Sequence, residues 1–209
     1  MLVGDIMRSP VLSISPETPL RDAYRLMQER GIRHLPILDG SRLAGIVTDR
    51  DLRLATSALT LSPFAAEDRV SEVMRPDPVT ADPLDPVEDA ARVMRERKIG
   101  CLPVLKDGAL VGILTGPDLL DALLRMTGVD KPSGRLEVRL ADAPGELARL
   151  TSFLSHRDLP ILSILTYPDG AGFSRTVLRI GSIETRSLAR DLRRAEFDVL
   201  WPPDVPWPR

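Results

Sequence analysis

The chain has 209 residues, 43% hydrophobic and 28% charged, enough for one large or two smaller globular domains. A formal net charge of -2 provides no global field for nucleic acid or an anionic membrane, so neither is an expected partner. One cysteine, Cys101, excludes an internal disulfide framework; residues 1–7 contain Asp5 and lack the apolar core of a signal peptide; and no apolar run reaches the ~20 residues of a bilayer span, so a cytoplasmic location is expected.

The first 120 residues contain a duplication. Placing residues 4–52 over 71–119, at a constant offset of 67 and without a gap, gives 20 identities in 49 pairs. Each copy reads as strand, helix, strand, strand, helix. The first helices begin at Thr18-Pro19 and Asp85-Pro86, read as N-cap and first helical residue, with Glu88 closing a capping box on Asp85. Apolar residues recur at helical spacing: Leu20, Ala23, Tyr24 and Met27, then Val87, Ala90, Ala91 and Met94. Gly31 reads as a C-terminal cap, whereas copy two has Lys98 there and is expected to end differently. Leu35–Leu38 and Leu102–Leu105 read as buried strands, Asp39-Gly40 and Asp107-Gly108 as turns, and Leu43–Val47 and Leu110–Leu114 as return strands. The closing helices start near Thr48 and Thr115. Two such units can bury their sheets on each other as a pseudo-two-fold pair, with clefts between copies.

Each copy ends on Gly-x-x-Thr-x-x-Asp: Gly45, Thr48, Asp51 and Gly112, Thr115, Asp118. A strand running into a helix start offers amides and a positive dipole end to a phosphate. The threonine hydroxyl can donate to a phosphate or ribose oxygen, the aspartate can accept from vicinal ribose hydroxyls, and the glycine admits a close neighbour. Thr-x-x-Asp is also a capping box, which alone accounts for both residues. Two copies in one register favour a site.

With Ile32 to Pro36 and Ile99 to Pro103 (Ile-x-x-Leu-Pro in both copies), these motifs resemble those of CBS domains over most of residues 3–125. The resemblance implies a fold and a ligand: tandem repeats binding adenosine compounds, such as AMP, ADP, ATP or S-adenosylmethionine, as regulatory ligands and not as catalytic cofactors. Carried over by position, Thr48 and Thr115 would meet phosphate or ribose, and Asp51 and Asp118 the ribose hydroxyls. Ser13 and Thr80, with the backbone at Arg33-His34 and Gly100-Cys101, would flank the adenine, and Ile32, Pro36, Ile99 and Pro103 would wall it. Arg33, His34 and Arg50 stand where copy two has Gly100, Cys101 and Pro117, so the sites are expected to differ in affinity. By charge copy one suits a polyphosphate, yet Arg50 can equally cross the cleft to the other site. A lone His34 is more often structural than a ligand, and Cys101 more often a small buried residue than a nucleophile. With His156 in another domain, no metal site is expected.

Lys131-Pro132-Ser133-Gly134 reads as a linker. Strand 136–140, helix 145–156, strands 160–165 and 173–180 around Gly170-Ala171-Gly172, helix 185–195 and strand 197–200 follow, a βαββαβ ferredoxin-like order. Arg186, Arg190, Arg193 and Arg194 read as a solvated helix face. Asp142-Ala143-Pro144-Gly145-Glu146-Leu147 resembles the Asp-x-Pro-Gly-x-Leu signature of ACT domains over residues 135–201, which implies a small effector near Asp142, Pro144 and Gly145. Equally, proline and glycine shape the turn while Asp142 satisfies helix-start amides. The Pro-rich tail carries Trp201 and Trp207 at its ends, which can dock or fray.

The expected architecture is α/β (α+β): residues 1–57 CBS repeat one, 58–69 linker, 70–128 repeat two, 129–134 linker, 135–201 ACT-like domain, 202–209 tail. This order resembles the acetoin-utilisation AcuB type and implies a non-enzymatic, adenylate-sensing regulator, homodimeric through its CBS or ACT parts and acting on an unidentified protein. Two alternatives stand beside it: a structural oligomerisation module without ligand, and a nucleotide-processing enzyme. The enzyme is disfavoured because the sequence has no P-loop, metal-ligand cluster or nucleophile with a matching base.

Overall fold

The computed structural model describes residues 1–204, so Trp207 and its expected docking lie outside the described residues. The chain divides into two compact units, Met1–Leu120 and Asp121–Arg209.

In the first unit, copy one forms helix α1 (Leu20–Arg30), hairpin β1 (His34–Asp39) and β2 (Arg42–Thr48), and helix α2 (Asp49–Ala55). After the short strand β3 (Arg75–Pro76), copy two forms α3 (Val87–Arg97), hairpin β4 (Cys101–Lys106) and β5 (Ala109–Thr115), and α4 (Gly116–Thr127), within which the division between units falls. Both hairpins pair in matching register, Pro36 opposite Ile46 and Pro103 opposite Ile113.

Neither copy opens with the expected strand. Val3–Asp5 and Val70–Glu72 are 3-10 turns, and each packs into the other copy. Val3 is fully buried among Ala90, Met94, Leu102 and Leu114 of copy two, while Val70 is fully buried among Leu20, Met27, Leu35 and Leu52 of copy one. The backbone follows the same exchange. Val3 N donates to Asp85 O at 2.9 Å and Val87 N to Met1 O at 3.2 Å; Leu20 N donates to Asp68 O at 2.9 Å and Arg21 N to Ala66 O at 3.0 Å. β3 then pairs with β2, Pro76 opposite Gly45, and Arg8 bridges Ile113 of β5.

This exchange explains two corrections to the expected caps. Pro19 and Pro86 are themselves the N-cap residues, extended at φ -62° and -61°, and neither helix has a side-chain cap. The orphan amides of the first turn instead reach carbonyls of the lent segment. Asp85 accepts from Asp82 N at 2.8 Å, and the box with Glu88 does not form. At the C-termini the copies agree: Gly31 (φ 62°) and Lys98 (φ 54°) are both left-handed, so lysine occupies a conformation that glycine adopts without steric cost.

The second unit contains β6 (Gly134–Ala141), α5 (Glu146–Ser155), β7 (Ile161–Gly170), β8 (Phe173–Ile180), α6 (Thr185–Arg194) and β9 (Asp198–Trp201). Its four strands lie in the order β7-β8-β6-β9, each pair antiparallel. Alternate residues Leu136, Val138 and Leu140 of β6 join Leu178 and Ile180 of β8 beneath Leu150, Leu154, Leu188 and Leu192 of the helices. Gly134, expected in a linker, is buried in β6: a Cβ there would lie 2.2 Å from Ser182 O and from Thr185 Cγ2.

Candidate functional site

Among the cavities of the first unit, one of about 420 Å³ is lined by copy one alone, whereas two take their walls from both copies. One, about 670 Å³, is bounded by Thr115, Gly116 and Pro117 at the β5–α4 corner, Ile32, Arg33 and His34 before and within β1, and Pro10, Val11 and Leu12. The other, about 500 Å³, is bounded by Thr48, Asp49 and Arg50 at the β2–α2 corner, Ile99, Gly100 and Cys101 before and within β4, and Asp77, Pro78 and Val79. The offset of 67 carries nearly every wall of one onto the other, so the pair is pseudo-symmetric and within the size range of small-molecule sites.

The corners are tighter than expected from the motif. Thr48 N donates to Asp51 Oδ2 at 3.1 Å, Thr48 Oγ1 donates to the same oxygen at 2.6 Å, and Asp51 N returns a bond to Thr48 Oγ1 at 3.1 Å. Thr115 N donates to Asp118 Oδ2 at 2.8 Å, and its hydroxyl bonds the same carboxylate. The Thr48 motif is therefore a capping box, the Thr115 motif repeats the half in which aspartate accepts from threonine N, and each threonine proton is held by its own aspartate. The second carboxylate oxygen is also engaged: Asp51 Oδ1 accepts from Arg75 Nη2 at 3.0 Å, and Asp118 Oδ1 from Arg8 Nε at 2.8 Å. These contacts bury Asp118 to 5% exposure and keep both aspartates off the cavity walls.

The expected phosphate cradle of free amides is likewise largely used up. Asp49 N donates to Arg33 O at 3.0 Å and Gly116 N to Gly100 O at 3.3 Å, while Pro117 has no N–H. Any phosphate must be met mainly by side chains. The neighbours that approach Gly45 and Gly112 are also the protein's own. A Cβ on Gly45 would lie 2.7 Å from Met74 Sδ and 2.9 Å from Arg75 O, and one on Gly112 would lie 2.5 Å from Met7 Sδ.

His34, Arg33 and Gly100 line both cavities and form the wall between them. The His34 ring lies over Gly100, where an added Cβ would be 2.8 Å from Nε2. Burial, and then the charge of Arg33, holds the His34 pKa below its ordinary value. Burial pushes the Cys101 thiol up to about 12, which removes its nucleophilic form at neutral pH.

Of the other residues singled out in the sequence, Arg50, Ile99, Cys101 and Pro103 line the Thr48 cavity and Ile32 the Thr115 cavity. Pro36 is buried, and Ser13 and Thr80 are exposed, outside both sets of lining residues. Sequence reasoning missed Arg8, Arg75, Arg53 and Lys98, all cavity residues. The identity of Met7-Arg8 with Met74-Arg75 was the available signal for the first two. In the second unit Asp142, Pro144 and Gly145 are exposed and line none of the cavities described. Helix α5 starts on Gly145 (φ 92°) without a side-chain cap, so Asp142 does not fill the capping role either. Arg186, Arg190 and Arg193, read as a solvated face, border a cavity of about 240 Å³, where Arg193 donates to Val199 O and Pro202 O and pairs with Asp204 at 2.6 Å. Among the described residues no group of three or more His, Cys, Asp or Glu could hold a metal ion, and no helix is long and apolar enough to cross a membrane.

Comparison with known proteins adds to this geometry. The CBS domain profile matches residues 3–57 and 70–125. A CBS domain-containing protein of Dictyostelium discoideum is 39% identical over 139 residues, which cover 60% of this chain and 93% of that protein. An inosine-5'-monophosphate dehydrogenase of Korarchaeum cryptofilum is 32% identical over 155 residues, 74% of this chain but 31% of the enzyme. Among solved structures, the CBS domain pair of protein MJ0100 in complex with 5'-methylthioadenosine and S-adenosyl-L-methionine superposes at a TM-score of 0.54 with 28% identity, over 63% of this chain and 98% of that one. A Vibrio cholerae protein ascribed to acetoin utilization (AcuB) gives a TM-score of 0.54 and 35% identity over the same shares, 63% and 98%.

Proposed function

We infer, from the premise that this chain belongs to the CBS-domain family, that it is a non-catalytic regulatory protein which binds adenosine-containing ligands in the two clefts between its repeats. The observation that carries this reading is the pair of pseudo-symmetric cavities of about 670 and 500 Å³, each built from both copies. The relative solved with two adenosine compounds supports the ligand class. Ile32, Arg33 and His34 with Thr115 would hold one ligand, and Ile99, Gly100, Cys101 and Pro103 with Thr48 and Arg50 the other. Ribose hydroxyls that reach Asp51 or Asp118 meet an Oδ1 already bonded to Arg75 or Arg8, so binding is coupled to those two arginines. Because Arg8 and Arg75 belong to the exchanged segments, that coupling is a route by which a ligand biases the arrangement of the repeats.

The βαββαβ unit is proposed as an ACT-like regulatory domain on its strand order and its Asp142–Leu147 turn, and the whole chain as a protein of the AcuB type, supported by the Vibrio cholerae likeness. Association into a homodimer and action on a partner protein complete the proposal. A thermal-shift screen over AMP, ADP, ATP, S-adenosylmethionine and amino acids tests it. An adenosine compound should raise Tm in proportion to the logarithm of its concentration over Kd. If millimolar amounts of all four adenosine compounds leave Tm unchanged, the chain is a scaffold instead.

A further inference from the structure

The two cavities share a backbone plan, so the residues at matching positions compare their ligand chemistry directly. At the helix corner the Thr48 cavity has Arg50 where the Thr115 cavity has Pro117. At the left-handed residue that ends the first helix, the Thr48 cavity has Lys98 where the Thr115 cavity has Gly31. Arg53 lines the Thr48 cavity, and the residue 67 places on is Leu120. Three cations on one side thus face proline, glycine and leucine on the other.

Carboxylates around the Thr48 cavity cancel only part of this excess. Asp49 is ion-paired with Arg53, and Asp51 with Arg75 at 3.0 Å. Arg33, Arg50 and Lys98 have no carboxylate partner among the described residues, against the single remaining acid, Asp77. In the Thr115 cavity Arg8 is held on Asp118 at 2.8 Å, which leaves the shared Arg33. Most of the corner amides are bonded within the protein, so phosphate affinity falls mainly to these side chains, whose bonds to phosphate oxygens are charge-assisted.

We propose that the clefts are divided by chemistry: the Thr48 cavity takes an adenosine ligand with a chain of two or more phosphates, and the Thr115 cavity takes an adenosine ligand without one. The division rests on the adenosine-binding reading above and adds the ligand class of each site. One chain would then read a nucleoside polyphosphate against a phosphate-free nucleoside, with Arg33 and His34 as the common wall.

Calorimetric titration of the full chain with adenosine and with ATP tests this, the readout being the ATP-to-adenosine affinity ratio at each site. The wild-type chain should bind one equivalent of ATP at least tenfold more tightly than adenosine and show no ATP advantage at the second site. Arg50→Ala with Lys98→Gly should lower the ratio at the first site at least tenfold. The reverse graft, Pro117→Arg with Gly31→Lys, should raise the number of tight ATP equivalents from one to two; it is tolerable because Lys98 already adopts that backbone. Two ATP equivalents of equal affinity in the wild type, or an unchanged ratio in the Arg50/Lys98 variant, would overturn the division. Adenosine binding with no ATP advantage anywhere overturns the division alone, whereas no binding of either compound overturns the adenosine reading as well.

Discussion

The two repeats agree where they hold each other, and their differences near the clefts fall on part of the cavity walls. Met7 and Met74, Arg8 and Arg75, Gly45 and Gly112, Thr48 and Thr115, and Asp51 and Asp118 are identical pairs, and each closes a corner against the exchanged segment. Arg33 and Gly100, His34 and Cys101, Arg50 and Pro117, and Gly31 and Lys98 differ, and all line cavity walls. Duplication thus provides an internal comparison: identity marks the frame, and divergence marks where ligands would be told apart.

The comparison is broken most forcefully at the exchanged residues. Val3→Asp and Val70→Asp each place a carboxylate in the core of the opposite copy, at positions with 0% exposure. Each should cost about 4 kcal/mol or more, with similar losses at both sites, in urea unfolding of the full chain. Wild-type stability in either variant would contradict the exchange. Next come Gly45→Ala and Gly112→Ala, which overpack against Met74 and Met7 and should cost about 1–3 kcal/mol. Gly45 should cost the more, because Arg75 O lies 2.9 Å from its Cβ position against 3.2 Å for Arg8 O at Gly112, and backbone yields less than a methionine tip.

Hairpin and helix positions were readable because their apolar periods are strong, and the duplication confirmed each against the other. The exchange was not readable. An offset of 67 shows that two segments are alike but not which copy each packs against, since Val3 and Val70 are equally suited to either core. The cap positions failed for the same reason: Thr18 and Asp85 are good local caps, but carbonyls of the lent segment reach the amides first. The motif Gly-x-x-Thr-x-x-Asp lies beside the cavities, yet its side chains turn to each other and to arginines that no local pattern associates with them. In the second unit Glu137 is buried at 7% on β6 and was missed for the same long-range reason. Burial would raise its pKa, but bonds from Arg135 and Tyr167 and the charges of Arg135 and Arg175 outweigh it and hold it low.

Smaller effects sharpen the divergent positions. Cys101 keeps its proton to about 12 when folded, whereas the unfolded thiol ionises near 9.0. Its contribution to stability is therefore complete below about pH 9 and is lost as pH rises towards 12. Matching His34 behaves oppositely: its folded pKa lies below 6.5, so its contribution is complete above 6.5 and is lost as pH falls. A Tm-against-pH profile should lose part of its alkaline fall in Cys101→Ala and part of its acid fall in His34→Gln. The smallest change is Lys98→Gly, which relieves a left-handed lysine and should stabilise by up to about 1 kcal/mol while Gly31→Lys destabilises by a similar amount. Equal signs for the two would contradict the equivalence of these helix ends.

Amide hydrogen exchange of the full chain with and without saturating ATP and adenosine tests most directly whether the inter-repeat clefts hold the ligand. Slower exchange should concentrate in residues 31–34 with 115–117, in 48–50 with 98–101, or in both sets, and spare the β6–β9 sheet. Protection absent from both sets, or confined to residues 134–201, would contradict the account.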